Sequence, residues 1–328
     1  MNNNTIAAII LTKNEEKHIA RCINLLKGIC EEIIVVDSLS TDRTCEVAEE
    51  LGAKVYKNPC KNYATQFNYG VYNCEINSEW IWRIDADEFL EGGLGDAMKK
   101  ALSECDLDTN GVYVRKRIDF MGKPLLHGGC YPSYHLKVFR KGHGDCENRW
   151  MDEHIRLFDG KTITVETGNQ VDANLNNLTW CTEKHNGYAI RKMVDMLMME
   201  YGMDAKAEEV IPKFLGTEEQ RKRWLKIKYI KSPLFIRPFI NFFIRYILKG
   251  GLDGKEGFVW HILQGFWYRM LVDAKVFEIK KQFNYDAEKI KEYLRNNYLT
   301  TVNKWEVKCN TSFRIQLIPD MKGGLYAA

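Results

Sequence analysis

At 328 residues, 28% charged and 45% hydrophobic, the chain is long enough for one large domain, or for one domain with a sizeable appendage, and its composition is that of a folded protein. A net charge of +3 is too small to imply nucleic acid, and no repeat or low-complexity tract points to a solenoid or a disordered chain. Ten Cys without a CxxC pair or a zinc-like spacing, behind a start (Met1-Asn2-Asn3-Asn4-Thr5) that lacks a basic segment followed by an apolar one, predict no signal peptide and reduced, structural thiols.

In chain order, Ile6-Ala7-Ala8-Ile9-Ile10-Leu11 is a continuous apolar run, as expected of a strand covered on both faces. Asn14 is placed to cap a helix starting at Glu15-Glu16, with Ile19, Ile23 and Leu26 at helical spacing. Ile33-Ile34-Val35-Val36 predicts a second buried strand ending in Asp37. Ser40 or Thr41 would cap the helix that carries Val47, Ala48 and Leu51, and Gly52 would end it. Lys54-Val55-Tyr56 reads as a short third strand. A helix over about 63–72 then leads to the apolar run Trp80-Ile81-Trp82-Arg83-Ile84, which closes in Asp85-Ala86-Asp87. Strands alternating with helices predict a mostly parallel sheet with helices on both faces, and ligands in such sheets bind beyond the carboxyl ends of the strands.

Leu11-Thr12, Asp37 and Asp85-Asp87 all fall at that rim. Two carboxylates two residues apart at a strand end offer hard oxygen ligands to a divalent cation. With 18 Asp in the chain about one Asp-x-Asp arises by chance, and Asp106-Leu107-Asp108 is a second copy. The second copy reads as a polar loop after a helix, away from the rim. The first strand–helix turn, Leu11-Thr12-Lys13-Asn14-Glu15-Glu16, has no glycine, which excludes the glycine-rich dinucleotide fingerprint and the P-loop.

Leu11–Glu16, Val35-Val36-Asp37-Ser38-Leu39-Ser40-Thr41-Asp42 and Asp85-Ala86-Asp87-Glu88 resemble, in order and spacing, the motifs of glycosyltransferase family 2, most closely bacterial enzymes of lipopolysaccharide-core and exopolysaccharide assembly. Asp172-Ala173-Asn174-Leu175 through Lys184–Ala189, and Gly251-Leu252-Asp253-Gly254-Lys255-Glu256-Gly257, are similar to the same enzymes, less specifically. The resemblance implies an α/β GT-A fold, a mostly parallel sheet flanked by helices, over residues 1–170, with a mainly helical C-terminal region over 171–328. It implies an inverting, metal-dependent glycosyltransferase that moves a sugar from a nucleotide-diphosphate donor to a hydroxyl of a glycan or lipid-linked acceptor in cell-envelope polysaccharide synthesis. By the same resemblance Thr12 and Glu15 line the nucleoside pocket and Asp37 accepts from the base or ribose. Asp85 faces the ribose and donor, Asp87 binds Mg²⁺ or Mn²⁺ on the diphosphate with Asp85 in support, and Gln66 and Asn68 contact the donor. Same-scaffold alternatives are a sugar nucleotidyltransferase, whose usual glycine- and basic-rich first loop is missing here, and a non-catalytic sugar-binding scaffold.

Direct displacement with inversion needs a carboxylate base on the acceptor side. Trp150-Met151-Asp152-Glu153-His154 falls where relatives place a Glu-Asp or His-Glu pair, so Glu153 is the expected base, Asp152 its rival, and His154 a further metal ligand. Lys137, where relatives often carry Arg, would offset charge on the departing diphosphate; Lys137 and Arg140 also fit an ordinary half-buried strand. His127-Gly128-Gly129 would form a loop over the donor sugar.

Beyond about residue 180 the pattern turns helical, over 184–201, 218–231, 234–249 and 257–280. Residues 220–282 hold 14 Lys/Arg against four Asp/Glu. The stretch 234–248 is aromatic-rich, interrupted by Arg237 and Arg245, and its apolar length is below the ~20 residues a spanning helix needs. Two readings stay open for it: docking on an anionic membrane surface, or packing its aromatic face on the catalytic domain. The expected location is cytoplasmic, peripheral at the inner face of the membrane.

Overall fold

The computed structural model describes residues 4–59, 62–147, 153–203, 215, 224, 228–230 and 232–299. The chain forms two compact units, Met1–Asn177 with Asn241–Gly265, and Leu178–Ile240 with Phe266–Ala328. β11 (Lys161–Asp172) runs through the expected break at 170, and the 241–265 stretch belongs with the first unit.

In the first unit β1 (Ile6–Thr12), β2 (Glu32–Asp37), β3 (Lys54–Lys57) and β4 (Trp80–Asp85) lie in the order β3-β2-β1-β4, all parallel. β5 (Glu88–Glu91), β6 (Thr109–Phe120), β8 (Ser133–Arg140) and β11 continue the sheet as β4-β8-β6-β11-β5. β8 and β5 run against their neighbours, and β6 and β11 are parallel to each other. β7 (Lys123–Pro124) pairs with β6, and β9 (Gly144–Cys146) pairs with β10 (Ile155–Leu157). The expected mostly parallel sheet is therefore present, with its antiparallel strands where the chain reverses after β4.

The period of two along β1 explains its unbroken apolar run. Ile6, Ala8 and Ile10 pack on one face with Ile19, Ile23 and Leu26 of α1 (Ile19–Leu26), Ala48 of α2 (Thr44–Glu50), and Met98 and Leu102 of α4 (Leu94–Glu104). Ala7, Ile9 and Leu11 pack on the other with Ala64, Phe67 and Val71 of α3 (Tyr63–Asn73). β4 repeats the division: Trp80, Trp82 and Ile84 join the first face, Ile81 the second.

Two helix starts differ from expectation. α1 begins at Ile19 rather than at Glu15-Glu16, because Asn14 takes a left-handed conformation (φ 55°) and its Oδ1 accepts from Thr41 N at 2.8 Å. Neither Ser40 nor Thr41 caps α2. Its N-cap is Arg43, with no side-chain cap; Asp42 Oδ1, one residue earlier, accepts from Thr44 N at 3.0 Å and from its hydroxyl at 2.5 Å, while Ser40 turns to Asp37. α3 starts with an Asn62–Thr65 capping box, and Asp106–Asp108 follow α4 as a loop.

In the second unit α5 (Leu178–Glu200) packs Ala189 and Met196 against Val272 of the helix Tyr268–Gln282. Arg237 and Asp273 form a buried pair at 2.5 Å. The stretch 234–249 is realised as the helix Ile236–Phe242 and the π turn Phe243–Ile247, and 257–280 as Gly254–Trp260, the π turn His261–Trp267 and Tyr268–Gln282. Most of 218–231 lies outside the described residues. No helix among the described residues is long and apolar enough to cross a membrane.

Glu32 ties β2 to the entry of β4. Its Oε2 accepts from Asn77 N (2.8 Å), Ser78 N (2.7 Å) and the Ser78 hydroxyl (2.6 Å). Burial alone would raise its pKa, but these Ser78 and Asn77 bonds lower it from 4.5 to about 2. The stabilisation is therefore fully present above pH 4.5 and is lost as pH falls towards 2. Glu32→Gln is expected to cost on the order of 2 kcal/mol at pH 7, and much less near pH 2, in urea unfolding.

Candidate functional site

β4 ends at Asp85, Ala86 and Asp87 turn, and β5 begins with Glu88. Glu88 holds this corner. It is wholly buried and accepts from Asp85 N at 2.9 Å, from Gln170 Nε2 at 2.6 Å and from Lys137 Nζ at 3.2 Å, with Lys116 Nζ at 3.0 Å. Burial would raise its pKa, but the two ammonium groups outweigh this and hold the carboxyl well below the ordinary range. Lys116 also meets Asp172 at 3.0 Å; despite burial, Asp172 and Glu88 push its pKa well up, so it stays charged. Gln170 is oriented by accepting from Trp82 Nε1 at 3.0 Å.

Above this buried network stand the two strand-end acids. Asp85 is 37% exposed at its side chain, with Lys137 Nζ 3.9 Å from Oδ2. Asp87 is half-buried; its Oδ2 accepts from Asn174 Nδ2 at 2.9 Å, and its carbonyl from Arg21 (2.9 Å) and Ala173 N (3.1 Å). Among the described residues no three His, Cys, Asp or Glu side chains form a set that could hold a metal unaided. Mg²⁺-type ions bind through one or two carboxylates and complete their shell with water and phosphate oxygens, so a partly exposed pair of acids at a strand rim fits such an ion. His154, expected as a further ligand, is exposed and joins no such set; its backbone N donates to Glu147 Oε1 at 3.1 Å. Nearby His135 is pushed down to about 4 by burial and by Lys137 and Lys116, and so is neutral.

Glu153 meets Arg83 Nη2 at 2.8 Å. Arg83 occupies a β4 position that alternation sends to the α3 face, where its guanidinium lies 5.4 Å from the Phe67 ring. Burial would lower its pKa, but Asp85, Cys146 and Glu153 outweigh this and keep it protonated. Arg83 and Asp85, two residues apart on one strand, thus connect the expected base to the expected metal acids. Asp152, the rival base, lies outside the described residues.

The residues expected on the nucleoside side form a second network. Thr12 Oγ1 donates to Asp37 Oδ1 at 2.8 Å, and the wholly buried Asp37 also accepts from Ser40 N (2.7 Å) and Ser40 Oγ (2.5 Å). Glu15 Oε2 pairs with His18 Nδ1 at 2.6 Å, while His18 Nε2 accepts from Leu175 N at 2.8 Å. Accepting at Nε2 places the ring proton on Nδ1, so His18 donates to Glu15 and locks the first rim loop to the 174–176 stretch that also holds Asp87. Gln66 and Asn68 are engaged elsewhere. Gln66 bonds Asn58, accepting at 2.8 Å and donating to its carbonyl at 3.1 Å, and Asn68 forms a double bond set with the Cys146 backbone at 2.8 and 2.9 Å.

Asp253 is buried and accepts from Leu126 N (3.2 Å), His127 N (2.9 Å) and His127 Nδ1 (2.6 Å), so it supports the His127–Gly129 loop. Gly128 is at φ 68°, where any Cβ would lie 2.9 Å from the Arg245 carbonyl oxygen, so only glycine fits. Arg83, His18, Lys116, Asn174 and Asp253 carry no role on sequence grounds alone. A charge inside Trp80–Ile84 was the one visible signal for Arg83, and Asn174 and Asp253 stood inside the C-terminal segments that carry the resemblance.

Residues 7–143 match the family described as glycosyl transferase family 2. An uncharacterized glycosyltransferase of Rickettsia bellii (strain RML369-C) is 47% identical over 300 residues, covering 85% of this chain and 88% of its own. A lipopolysaccharide core biosynthesis glycosyltransferase of Rhizobium meliloti (strain 1021), LpsC, is 28% identical over 280 residues, 83% of this chain and 92% of its own. Among solved structures, glucosyl-3-phosphoglycerate synthase from Mycobacterium tuberculosis aligns over 36% of this chain and 45% of that chain, at 20% identity and a TM-score of 0.30.

Replacing Glu88 with Gln keeps the shape but leaves Lys116 and Lys137 facing each other without their shared counter-charge. The expected loss is about 3–5 kcal/mol in urea unfolding, with part of it recovered in Glu88→Gln/Lys137→Met.

Proposed function

The chain belongs to glycosyl transferase family 2 and is a glycosyltransferase, and on that premise we propose that it is an inverting, metal-dependent enzyme acting on a nucleotide-diphosphate sugar. Its acceptor is a hydroxyl of a glycan or lipid-linked glycan of the cell envelope, on the cytoplasmic side; the similarity to a lipopolysaccharide core enzyme supports that class. The observation that carries the reading is the arrangement along β4: Asp85 and Asp87 at the rim, and Glu153 held by Arg83 at 2.8 Å two residues back.

Glu153 takes the proton of the acceptor hydroxyl as that oxygen attacks the anomeric carbon. The bond from that carbon to the diphosphate oxygen breaks on the opposite side, and the nucleoside diphosphate leaves. Asp87 and Asp85 would hold Mg²⁺ or Mn²⁺ together with the donor, and such an ion would neutralise the charge growing on the leaving diphosphate. Lys137, fixed on Glu88 and 3.9 Å from Asp85, adds a positive charge on the same side. Thr12, Glu15 and Asp37 form the nucleoside side, where Asp37 sets the two rim loops through Thr12 and Ser40. Gln66 and Asn68, on α3, are the further donor-contacting residues of this reading. His154 and Asp152 stay secondary: His154 as an outer metal contact, Asp152 as the rival base.

Asp87→Ala is expected to lower transfer about a hundredfold or more and to abolish Mn²⁺-dependent donor binding, measured with a panel of nucleotide sugars by calorimetry and product release. Turnover unchanged in this variant overturns the metal assignment. Glu153→Gln is expected to retain donor binding and to lower kcat by about 10²–10⁴-fold. If Asp152→Ala gives that phenotype and Glu153→Gln does not, Asp152 is the base.

A further inference from the structure

The helix Ile236–Phe242 and the π turn that continues it carry their amphipathicity the wrong way round for a helix whose apolar side faces a core. Phe243, Ile244, Ile247 and Leu248 point outward, each between 43% and 63% exposed. Leu248 N donates to the Phe243 carbonyl at 3.1 Å, a bond across five residues, and this widened turn keeps 243, 244, 247 and 248 on one side. The inward side carries polar residues beside the half-buried, stacked rings of Phe242 and Tyr246. Arg237 pairs with Asp273, Asn241 Nδ2 donates to the Gly265 carbonyl at 2.7 Å, and Arg245 Nε donates to the Gly128 carbonyl at 3.0 Å. Leu252, in the turn that follows, is 79% exposed.

An apolar stripe of this extent on an outer helix face marks an interaction surface. Its flanking charge selects the partner. From residue 232 to 252 there is no Asp or Glu, and the first acid beyond, Asp253, is buried beneath His127. Lys249 and Lys255, beside the stripe, are exposed. An apolar face bordered by lysines, on an element too short in apolar length to span, suits a helix lying in the headgroup region of a bilayer that carries negative charge. We propose that this face docks the protein on an anionic lipid surface, with Phe243, Ile247, Leu248 and Leu252 inserted among the acyl chains and Lys249 and Lys255 against the headgroups. Phe243–Leu252 belongs to the same compact unit as the acidic rim. The inference stands on exposure and charge, and does not depend on the assignment of Glu153 or of the metal.

Flotation of the full chain with phosphatidylcholine vesicles, with and without phosphatidylglycerol, tests it. The expected result is binding to the phosphatidylglycerol vesicles, weakened by salt, and at least about tenfold weaker binding in Phe243→Ser/Ile247→Ser/Leu248→Ser. Circular dichroism and donor binding in solution check that this variant is folded. Should it fail to fold, Lys249→Glu/Lys255→Glu, which alters only exposed side chains, is expected to lose the preference for phosphatidylglycerol. The proposal is overturned if the wild type ignores both vesicle types, if folded variants bind as the wild type does, or if light scattering shows a dimer that the serine variant dissolves, which would assign the stripe to a second copy of the chain.

Discussion

A single buried carboxylate sets the geometry of the acidic rim. Glu88 sits where the sheet reverses after β4, and its oxygens receive the amide of Asp85, the amide of Gln170 and two lysine ammonium groups. A charge taken out of water is costly unless it is paired and fully hydrogen-bonded, and Glu88 meets both conditions at once. The bond to Asp85 N fixes the turn, and the turn fixes the directions of Asp85 and Asp87. The lysine that compensates Glu88 also faces Asp85, so the same arrangement that makes the corner stable places positive charge beside the acids.

β4 then carries the site by its period of two. Trp80, Trp82 and Ile84 fill one core; Ile81 fills the other, and Arg83 enters that second side with Glu153 as its partner. One strand therefore connects two groups of acids that lie about 70 residues apart in the chain, and the link is electrostatic: a permanently charged guanidinium between Asp85 and Glu153. Asp106-Leu107-Asp108, with the same Asp-x-Asp pattern as Asp85-Ala86-Asp87, has no such neighbours; it lies in the loop after α4, and Asp108 pairs with the exposed Lys161 at 2.7 Å.

Much of the parallel half was legible because its signals are local. Apolar runs and Gly52 report strands and a helix end from their immediate neighbours. The misplaced helix starts arose where a polar side chain bonded a loop or strand-end partner in place of the helix it precedes. Asn14 looks like a cap but bonds Thr41, and Ser40 looks like a cap but bonds Asp37. The strands after β5 gave weaker signals because β6 and β11 lie partly exposed and alternate irregularly, with register shifts between them.

From the order of its residues alone the chain specifies an α/β sheet, a glycine-free first turn and acids at two strand ends, since each depends on hydrophobic periodicity and on which residue closes an apolar run. Only the tertiary structure decides which polar groups meet: Arg83 with Glu153, His18 with Leu175, Asn174 with Asp87, Asp253 with His127. It alone decides, too, that the aromatic helix near residue 243 turns its arginines inward and its hydrophobic side out. The reason is common to all of these. Desolvated polar groups must find partners, the partners come from strands and loops far apart in the chain, and no local pattern records the pairing.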